Sequence, residues 1–299
     1  MSTSASPDAI EQYAGLVDDA AIFPPGNAPV PEALRWHIDH RAAWYAPMVG
    51  GFVCVDTRLT ELQAALDHAG SSSPAPLHMN LTISGGAGAV EPALTWAGRD
   101  ERLAVSVVEV ALRDEDDLAH NAARMDTVLR RALPDDAVAY VELPRLHGAD
   151  VAAGWAAALD ELAAAGLRVK YRTGGLEHEA FPSSAELAAV IAAALDREVE
   201  FKLTAGLHHA VRHTAADTGF EHHGFLNVLL ATRASLDGAS DADVAALLDE
   251  RDPDTVARRV SELGAAGVAS TRRWFTSFGA CSIIEPVDDL VALGLVSKA

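Results

Sequence analysis

Short apolar segments of strand length recur along the chain, and an alanine-rich segment with helical periodicity follows each one up to the seventh. The eight apolar segments span residues 20–23, 51–55, 77–83, 103–112, 137–143, 167–173, 200–205 and 274–279. The helical segments between them span residues 31–45, 59–68, 90–97, 117–133, 149–165, 184–195 and 224–235. Strands that alternate with helices predict βαβ units and a parallel sheet.

Eight such units predict an α/β protein with one domain, residues 1–299, folded as a (β/α)8 TIM barrel. The segment between strands seven and eight is long and predicts extra helices near residues 241–249 and 253–263. A doubly wound sheet is the alternative architecture. It is disfavoured because Phe23-Pro24-Pro25-Gly26, and not a glycine-rich dinucleotide turn, follows the first predicted strand.

The charge balance restricts the partners of the protein. The net charge of −20 argues against nucleic acids and anionic membrane surfaces, which select basic faces, and leaves a small molecule as the expected partner. Residues 1–8 lack the basic and apolar regions of a secretory signal. No run of about 18 apolar residues predicts a membrane span. We therefore expect a cytoplasmic protein.

Polar residues interrupt the predicted strands four to seven. These residues are Glu109, Glu142, Lys170, Arg172, Lys202 and Thr204. Because side chains alternate along a strand, Lys170 and Arg172 share one face, as do Lys202 and Thr204. Burying such charges without partners costs roughly several kcal/mol, so we expect them to form pairs inside the barrel. Two interpretations follow, a structural ion-pair network that fills the barrel and an active site.

The two lysines favour covalent chemistry. A buried lysine next to other cations has its ammonium form disfavoured, so we expect the pKa of Lys170 to fall near Lys202 and Arg172. The neutral amine is then a nucleophile that forms a Schiff base with a carbonyl compound. Glu109 and Glu142 are the candidates for general acid and base.

Three patches of the sequence resemble deoxyribose-phosphate aldolases, which are class I aldolases. The patches are Lys170-Tyr171-Arg172-Thr173-Gly174, Lys202-Leu203-Thr204-Ala205-Gly206 and Gly279-Ala280-Cys281-Ser282-Ile283. The resemblance implies that Lys170 forms the Schiff base and that Lys202 lowers its pKa. It also implies that the loop with Gly279 and Ser282 holds a substrate phosphate at a helix N-terminus, where backbone N–H groups attract anions.

The predicted substrate-binding set combines these motifs with the histidines after strand seven. Its members are Arg172, Thr173, Gly174, Thr204, Gly206, His208, His209, Gly279 and Ser282.

The histidines near strand seven leave a metal site open. His208 and His209 follow that strand directly, and His222 and His223 precede the next predicted helix. Two of them with Glu109 or Glu142 provide ligands for a divalent metal, although the spacing matches no specific metal motif. The alternative is a role in substrate binding or loop structure. Cys281 is interpreted as a packed thiol, because no charged base is adjacent to it in sequence.

Three hypotheses remain at this point. The first is a Schiff-base lyase or aldolase-like enzyme that acts on a small anionic carbonyl compound without a cofactor. The second is a metal-dependent hydrolase or lyase with histidine and glutamate ligands. The third is a non-catalytic barrel that binds a small anion or serves as a subunit, with the acidic helices near residues 241–254 as the surface of a homo-oligomer.

Overall fold

The computed structural model describes residues 7–69, 75–113, 117–148 and 150–298. The strands in these residues are β1 Val17–Asp19, β2 Val49–Val55, β3 Leu77–Ile83, β4 Leu103–Ala111, β5 Val138–Glu142, β6 Arg168–Arg172, β7 Phe201–Thr204, β8 His213–Thr214, β9 Glu221–His222 and β10 Phe275–Ala280. The α-helices are α1 Val30–Arg41, α2 Leu59–Ala69, α3 Ala87–Ala97, α4 Leu118–Ala132, α5 Ala153–Ala164, α6 Ser184–Leu195, α7 Phe225–Leu236, α8 Asp241–Asp249, α9 Pro253–Arg272 and α10 Ile284–Ala292.

Eight strands close into a barrel in the order β1-β10-β7-β6-β5-β4-β3-β2. Every pairing around this barrel is parallel, and helices connect successive strands. The predicted (β/α)8 fold is therefore confirmed. In such barrels the loops at the carboxyl ends of the strands carry the chemistry. None of the helices in the described ranges combines the length and apolar character needed to cross a membrane.

The helix boundaries follow from local capping. Ser183 precedes α6, and its hydroxyl accepts a hydrogen bond from the backbone N–H of Glu186 at 3.2 Å. Gly166 adopts a φ of 68° just after α5, where a left-handed residue ends a helix at low steric cost. Helix α6 matches its predicted span, whereas α5 begins at Ala153. The predicted start of that helix at Ala149 lies outside the described residues, as do residues 1–6, 70–74 and 299 of the predicted domain.

The first strand differs from the prediction. It spans Val17–Asp19 and pairs with both β2 and β10, whereas the predicted segment, residues 20–23, forms the turn that follows it. The backbone N–H of Phe23 closes that turn on the carbonyl oxygen of Ala20 at 2.8 Å. The prediction was wrong because two of the three residues in β1 are aspartates, so the strand has no apolar run.

The long segment between β7 and β10 contains α7, α8 and α9, as predicted, together with a short antiparallel ribbon. In this ribbon, β8 pairs with β9, so that His213 lies opposite His222. Helix α9 extends beyond its predicted end, but Gly264 has a φ of 63° and a ψ of 174° and interrupts it. The predicted helix therefore ends where glycine permits a left-handed residue, and a second helical segment continues to Arg272.

Candidate active site

Two lysines lie side by side inside the barrel. Lys170 on β6 and Lys202 on β7 occupy paired positions in the parallel register, and their residues are only 4% and 1% exposed. Glu109 on β4 is equally buried and lies between the two ammonium groups. One of its carboxylate oxygens accepts a hydrogen bond from Lys170 Nζ at 2.8 Å, and the other accepts one from Lys202 Nζ at 2.5 Å. A single carboxylate therefore neutralises part of both charges.

The charged contacts continue on both sides of this group. Lys202 Nζ also donates to Asp18 Oδ2 at 2.6 Å, and Lys170 Nζ lies 2.9 Å from Glu142 Oε2. Glu142 in turn accepts a hydrogen bond from Arg172 Nε at 3.0 Å. The result is an alternating series of three cations and three carboxylates, which we call the charge chain. In order, its members are Arg172, Glu142, Lys170, Glu109, Lys202 and Asp18.

The two ends of the charge chain differ in solvent access. The side chain of Arg172 is 44% exposed, so this end of the chain reaches the mouth of the barrel. At the opposite end, Asp18 is buried. Its Oδ2 accepts a hydrogen bond from the hydroxyl of Ser277 at 2.8 Å, and its Oδ1 accepts one from the backbone N–H of Gly51 at 3.2 Å. A substrate that enters from the mouth therefore meets Arg172 and Glu142 before Lys202 and Asp18.

The charge chain shifts the pKa of its buried members. Burial alone would raise the pKa of Glu109, but the ammonium groups of Lys170 and Lys202 outweigh it and lower this pKa to about 2. Burial would lower the pKa of Lys170, but Glu109 and Glu142 outweigh it and hold the pKa above its ordinary value. The pKa of Lys202 is raised in the same way by Asp18 and Glu109.

These directions correct the expected electrostatics of the lysines. The sequence predicted a lowered pKa for Lys170, because Lys202 and Arg172 are nearby cations. In the structure each ammonium group directly contacts two carboxylates, so attraction exceeds repulsion and the pKa rises. Lys170 is therefore an ammonium ion at neutral pH in the resting protein.

Asp18 is the member of the charge chain that sequence analysis missed. It lies on β1, the strand that was placed three residues too late, and so its side chain was not considered as an inward group. The signal was present as Asp18 and Asp19 after the apolar pair Leu16-Val17. Two buried acids in a short strand indicate paired partners inside the fold, because unpaired buried carboxylates are strongly disfavoured.

Several residues of the predicted substrate-binding set make backbone contacts that build the ends of β6 and β7. Thr173 is buried, and its hydroxyl donates to the carbonyl oxygen of Ala205 at 2.6 Å. Gly174 and Gly206 approach so closely that a Cβ on Gly174 would lie 2.8 Å from the Cα of Gly206. Gly206 also has a φ of 79°, a conformation that favours glycine. These residues fix the path of the backbone that follows Lys170 in β6 and Lys202 in β7.

The remaining predicted residues lie where β7 and β10 end. Thr204 and Gly279 are paired across these two strands, and Ser282 follows β10. The hydroxyl of Ser282 accepts a hydrogen bond from the backbone N–H of Glu285 at 3.3 Å, within the first turn of α10. Ser282 therefore contacts the helix that the predicted phosphate site would use.

The four histidines of the predicted metal site bind different partners, although His209 and His222 both lie beside the ring of His213, with ring centroids 4.7 and 5.1 Å away. Their ring nitrogens contact different groups: His208 contacts Glu285, His209 contacts Asp289, His222 contacts the carbonyl oxygen of Gly206, and His223 contacts Arg212 and the carbonyl oxygen of Pro182. None of these contacts involves Glu109 or Glu142. Within the part of the chain that the structure describes, no group of three or more His, Cys, Asp or Glu side chains is placed to hold a metal ion.

Among these four histidines, the contacts of the ring nitrogens are clearest at His223. This ring is almost fully buried, and its Nε2 donates to the carbonyl oxygen of Pro182 at 2.9 Å. Its Nδ1 lies 3.0 Å from Arg212 Nη1. Burial first and the Arg212 guanidinium second lower the pKa of His223 to about 4. Both ring nitrogens of His223 are thus occupied by neighbouring protein groups.

No family model, no curated protein and no solved structure matches the chain. The class of the protein follows from its own geometry, which is a (β/α)8 barrel with a buried charge chain at its centre. This fold is compatible with an enzyme.

Proposed function

We propose that this protein is a Schiff-base lyase or aldolase-like enzyme that acts on a small anionic carbonyl compound. The observation that carries the proposal is the pair of buried lysines at one carboxylate. The whole chain contains three lysines, and two of them, Lys170 and Lys202, lie in the interior of the barrel. Barrel interiors are normally filled by Val, Ile and Leu, so the four buried charged side chains Asp18, Glu109, Lys170 and Lys202 favour chemistry over packing.

The energetics of buried ion pairs also favour an active site over a purely structural network. A buried ion-pair network is often no more stabilising than well-packed apolar residues of the same volume. Stability alone therefore gives little reason to maintain three cations and three carboxylates in a barrel core. The resemblance of the lysine motifs to deoxyribose-phosphate aldolases supports the same reaction class.

Lys170 is the proposed nucleophile, and Lys202 is the proposed electrostatic partner. Lys170 contacts Glu142, whose side chain is partly exposed, whereas the two carboxylates that Lys202 contacts, Asp18 and Glu109, are both buried. Before Lys170 attacks, its ammonium group transfers a proton to Glu142. The C–N bond then forms, the carbonyl oxygen takes up one proton from the attacking nitrogen and a second from Glu142, and the C–O bond breaks as water leaves to give the protonated imine. Glu109 remains between the two lysine side chains and balances their charge.

The anionic group of the substrate has a specific task in this proposal. Burial would raise the pKa of Glu142, but Lys170 and Arg172 outweigh it and lower this pKa. An anionic substrate that binds the exposed guanidinium of Arg172 weakens its contact with Glu142. Glu142 then becomes a stronger base and accepts the proton of Lys170 more readily. Substrate binding therefore activates the nucleophile.

Borohydride trapping tests this proposal. Glyceraldehyde 3-phosphate is incubated with the protein, the imine is reduced with cyanoborohydride, and the labelled lysine is found by peptide mass spectrometry. The exposed Lys298 serves as an internal reference for unassisted reaction. We expect label on Lys170 in excess of Lys298, and less label when uncharged glyceraldehyde replaces the phosphate.

Two variants complete the experiment. Lys170→Met should lose the excess label, and the matched variant Lys298→Met should retain it. Thermal unfolding of both variants shows whether the barrel is intact. Label on neither Lys170 nor Lys202 in the wild-type protein, with any of glyceraldehyde 3-phosphate, pyruvate and glyoxylate, would show that the proposal is wrong.

A further inference from the structure

Cys281 lies at the mouth of the barrel, between the end of β10 and the start of α10. It is partly exposed, whereas the other cysteine, Cys54, is buried in β2. The Sγ atom of Cys281 lies 3.8 Å from Nε2 and 3.9 Å from Nδ1 of His208. The two residues are distant in sequence and meet because β7 and β10 are neighbours in the barrel. His208 is therefore a base beside the Cys281 thiol, although no base is adjacent to Cys281 in the sequence.

His208 is itself oriented by a carboxylate. Its Nδ1 donates to Glu285 Oε2 at 2.8 Å, and Glu285 belongs to the first turn of α10. A nucleophile, an imidazole and a carboxylate thus stand in series at one place. This order of groups is the arrangement that activates thiols in proteins, because the carboxylate holds the imidazole and stabilises its protonated form.

We propose that Cys281, His208 and Glu285 form a nucleophilic thiol site that is separate from the charge chain. The site takes a small carbon electrophile that carries a leaving group. The thiol proton passes from Sγ to the imidazole of His208, and the thiolate attacks the carbon. A C–S bond forms, and the bond between carbon and the leaving group breaks, with the electron pair going to the leaving group.

The electrostatics around His208 support this ion pair. Burial alone would lower the pKa of His208, but its contacts with Cys281 and Glu285 outweigh it and raise this pKa to about 9. His222 on β9 also interacts with His208, and a positive charge on His222 would oppose protonation of His208. An imidazolium beside a thiolate stabilises the reactive form of the thiol at neutral pH.

Alkylation with iodoacetamide tests the site on the whole protein. The rate at Cys281 is followed by peptide mass spectrometry at pH 6.5, and iodide is the leaving group. We expect His208→Gln to slow the reaction at Cys281 by about tenfold or more. His68→Gln is the control, because His68 is exposed on α2 and contacts the carbonyl oxygen of Ala64 instead. It should leave the rate unchanged. Equal rates in the wild type and His208→Gln would overturn the proposal.

The wild-type protein provides a test that needs no variant. At pH 6.5 we expect the alkylation rate at Cys281 to exceed that of free cysteine in the same solution by about tenfold or more. A rate equal to that of free cysteine would overturn the proposal. Cys54 should remain unlabelled throughout, because burial raises the pKa of its thiol to about 12.

Discussion

Lys170 and Lys202 are direct neighbours across β6 and β7, and their ammonium groups share one carboxylate. Parallel register places the two cations side by side, so the fold requires a counter-ion at this position. Glu109 supplies it from β4, on the other side of β5 from the lysines. The stability of the barrel and the proposed reactivity of the lysines therefore depend on the same carboxylate. Stability and reactivity can be measured separately.

Glu109→Gln should strongly destabilise the fold. Removing the carboxylate leaves two buried ammonium groups that lose their shared partner, and breaking a buried ion pair in this way costs roughly 3–5 kcal/mol. Urea denaturation at pH 7 measures the change in the free energy of unfolding. The control is Glu262→Gln, because Glu262 pairs with Arg258 on the surface. The control should change stability by less than about 1 kcal/mol. Similar effects of the two substitutions would contradict this prediction.

The contribution of Glu109 should disappear in acid. Its pKa is about 2 in the folded protein and about 4.3 in an unfolded chain, so between these values the unfolded state binds more protons. Stability therefore rises with pH through this window, and the contribution of Glu109 is complete above about pH 5. We expect the difference in unfolding free energy between the wild type and Glu109→Gln to shrink as the pH falls from 5 to 3. A difference that stays constant over this range is incompatible with the lowered pKa.

Imine formation with an uncharged aldehyde should be slow at neutral pH. The pKa of Lys170 is raised above its ordinary value, so the fraction of neutral amine continues to increase beyond about pH 10. With glyceraldehyde and cyanoborohydride, the rate of labelling at Lys170 should rise by nearly tenfold for each pH unit between 7 and 10. Reduction of a preformed imine at each pH corrects for changes in the reagent. A labelling rate that reaches a plateau below pH 9 would instead indicate a lowered pKa of Lys170, as the sequence predicted.

Gly51→Ala should destabilise the barrel near Asp18. A Cβ at this position would overlap the Oδ1 atom of Asn80, and the backbone N–H of Gly51 holds Asp18. We expect a loss of about 1–3 kcal/mol, the usual cost of overpacking. Gly154→Ala is the matched control, because its Cβ would meet no atom within 4 Å and the residue lies in α5. It should be neutral or stabilise by less than about 1 kcal/mol. Thermal unfolding of both variants provides the comparison.

The sequence predicted much of the site because inward-facing charges interrupt otherwise apolar strands. The alternation along strands six and seven placed Lys170, Arg172 and Lys202 inside, and it identified Glu109 and Glu142 as their partners. The structure brings these five side chains into one series. Strand position is encoded locally by hydropathy, and so this part of the site was accessible without coordinates.

The remainder depends on contacts between distant parts of the chain. Asp18 reaches Lys202 only because the barrel closes between β1 and β10, and no local pattern encodes that contact. The direction of the lysine pKa shifts depends on whether a cation or a carboxylate lies closer to each ammonium group. Strand alternation gives the face of a side chain but not this distance. For the same reason, the sequence did not predict that His208 lies beside Cys281.

The raised pKa of Lys170 has a consequence for the state that follows its attack. In the proposed reaction, a protonated imine retains a positive charge on the same nitrogen and an N–H group that can donate a hydrogen bond to Glu109. The surroundings that disfavour the free amine therefore match the iminium ion, which is the electron-withdrawing form that weakens a neighbouring C–C bond. If the proposed reaction occurs, the charge chain should therefore slow the formation of the covalent intermediate and extend the lifetime of its cationic form.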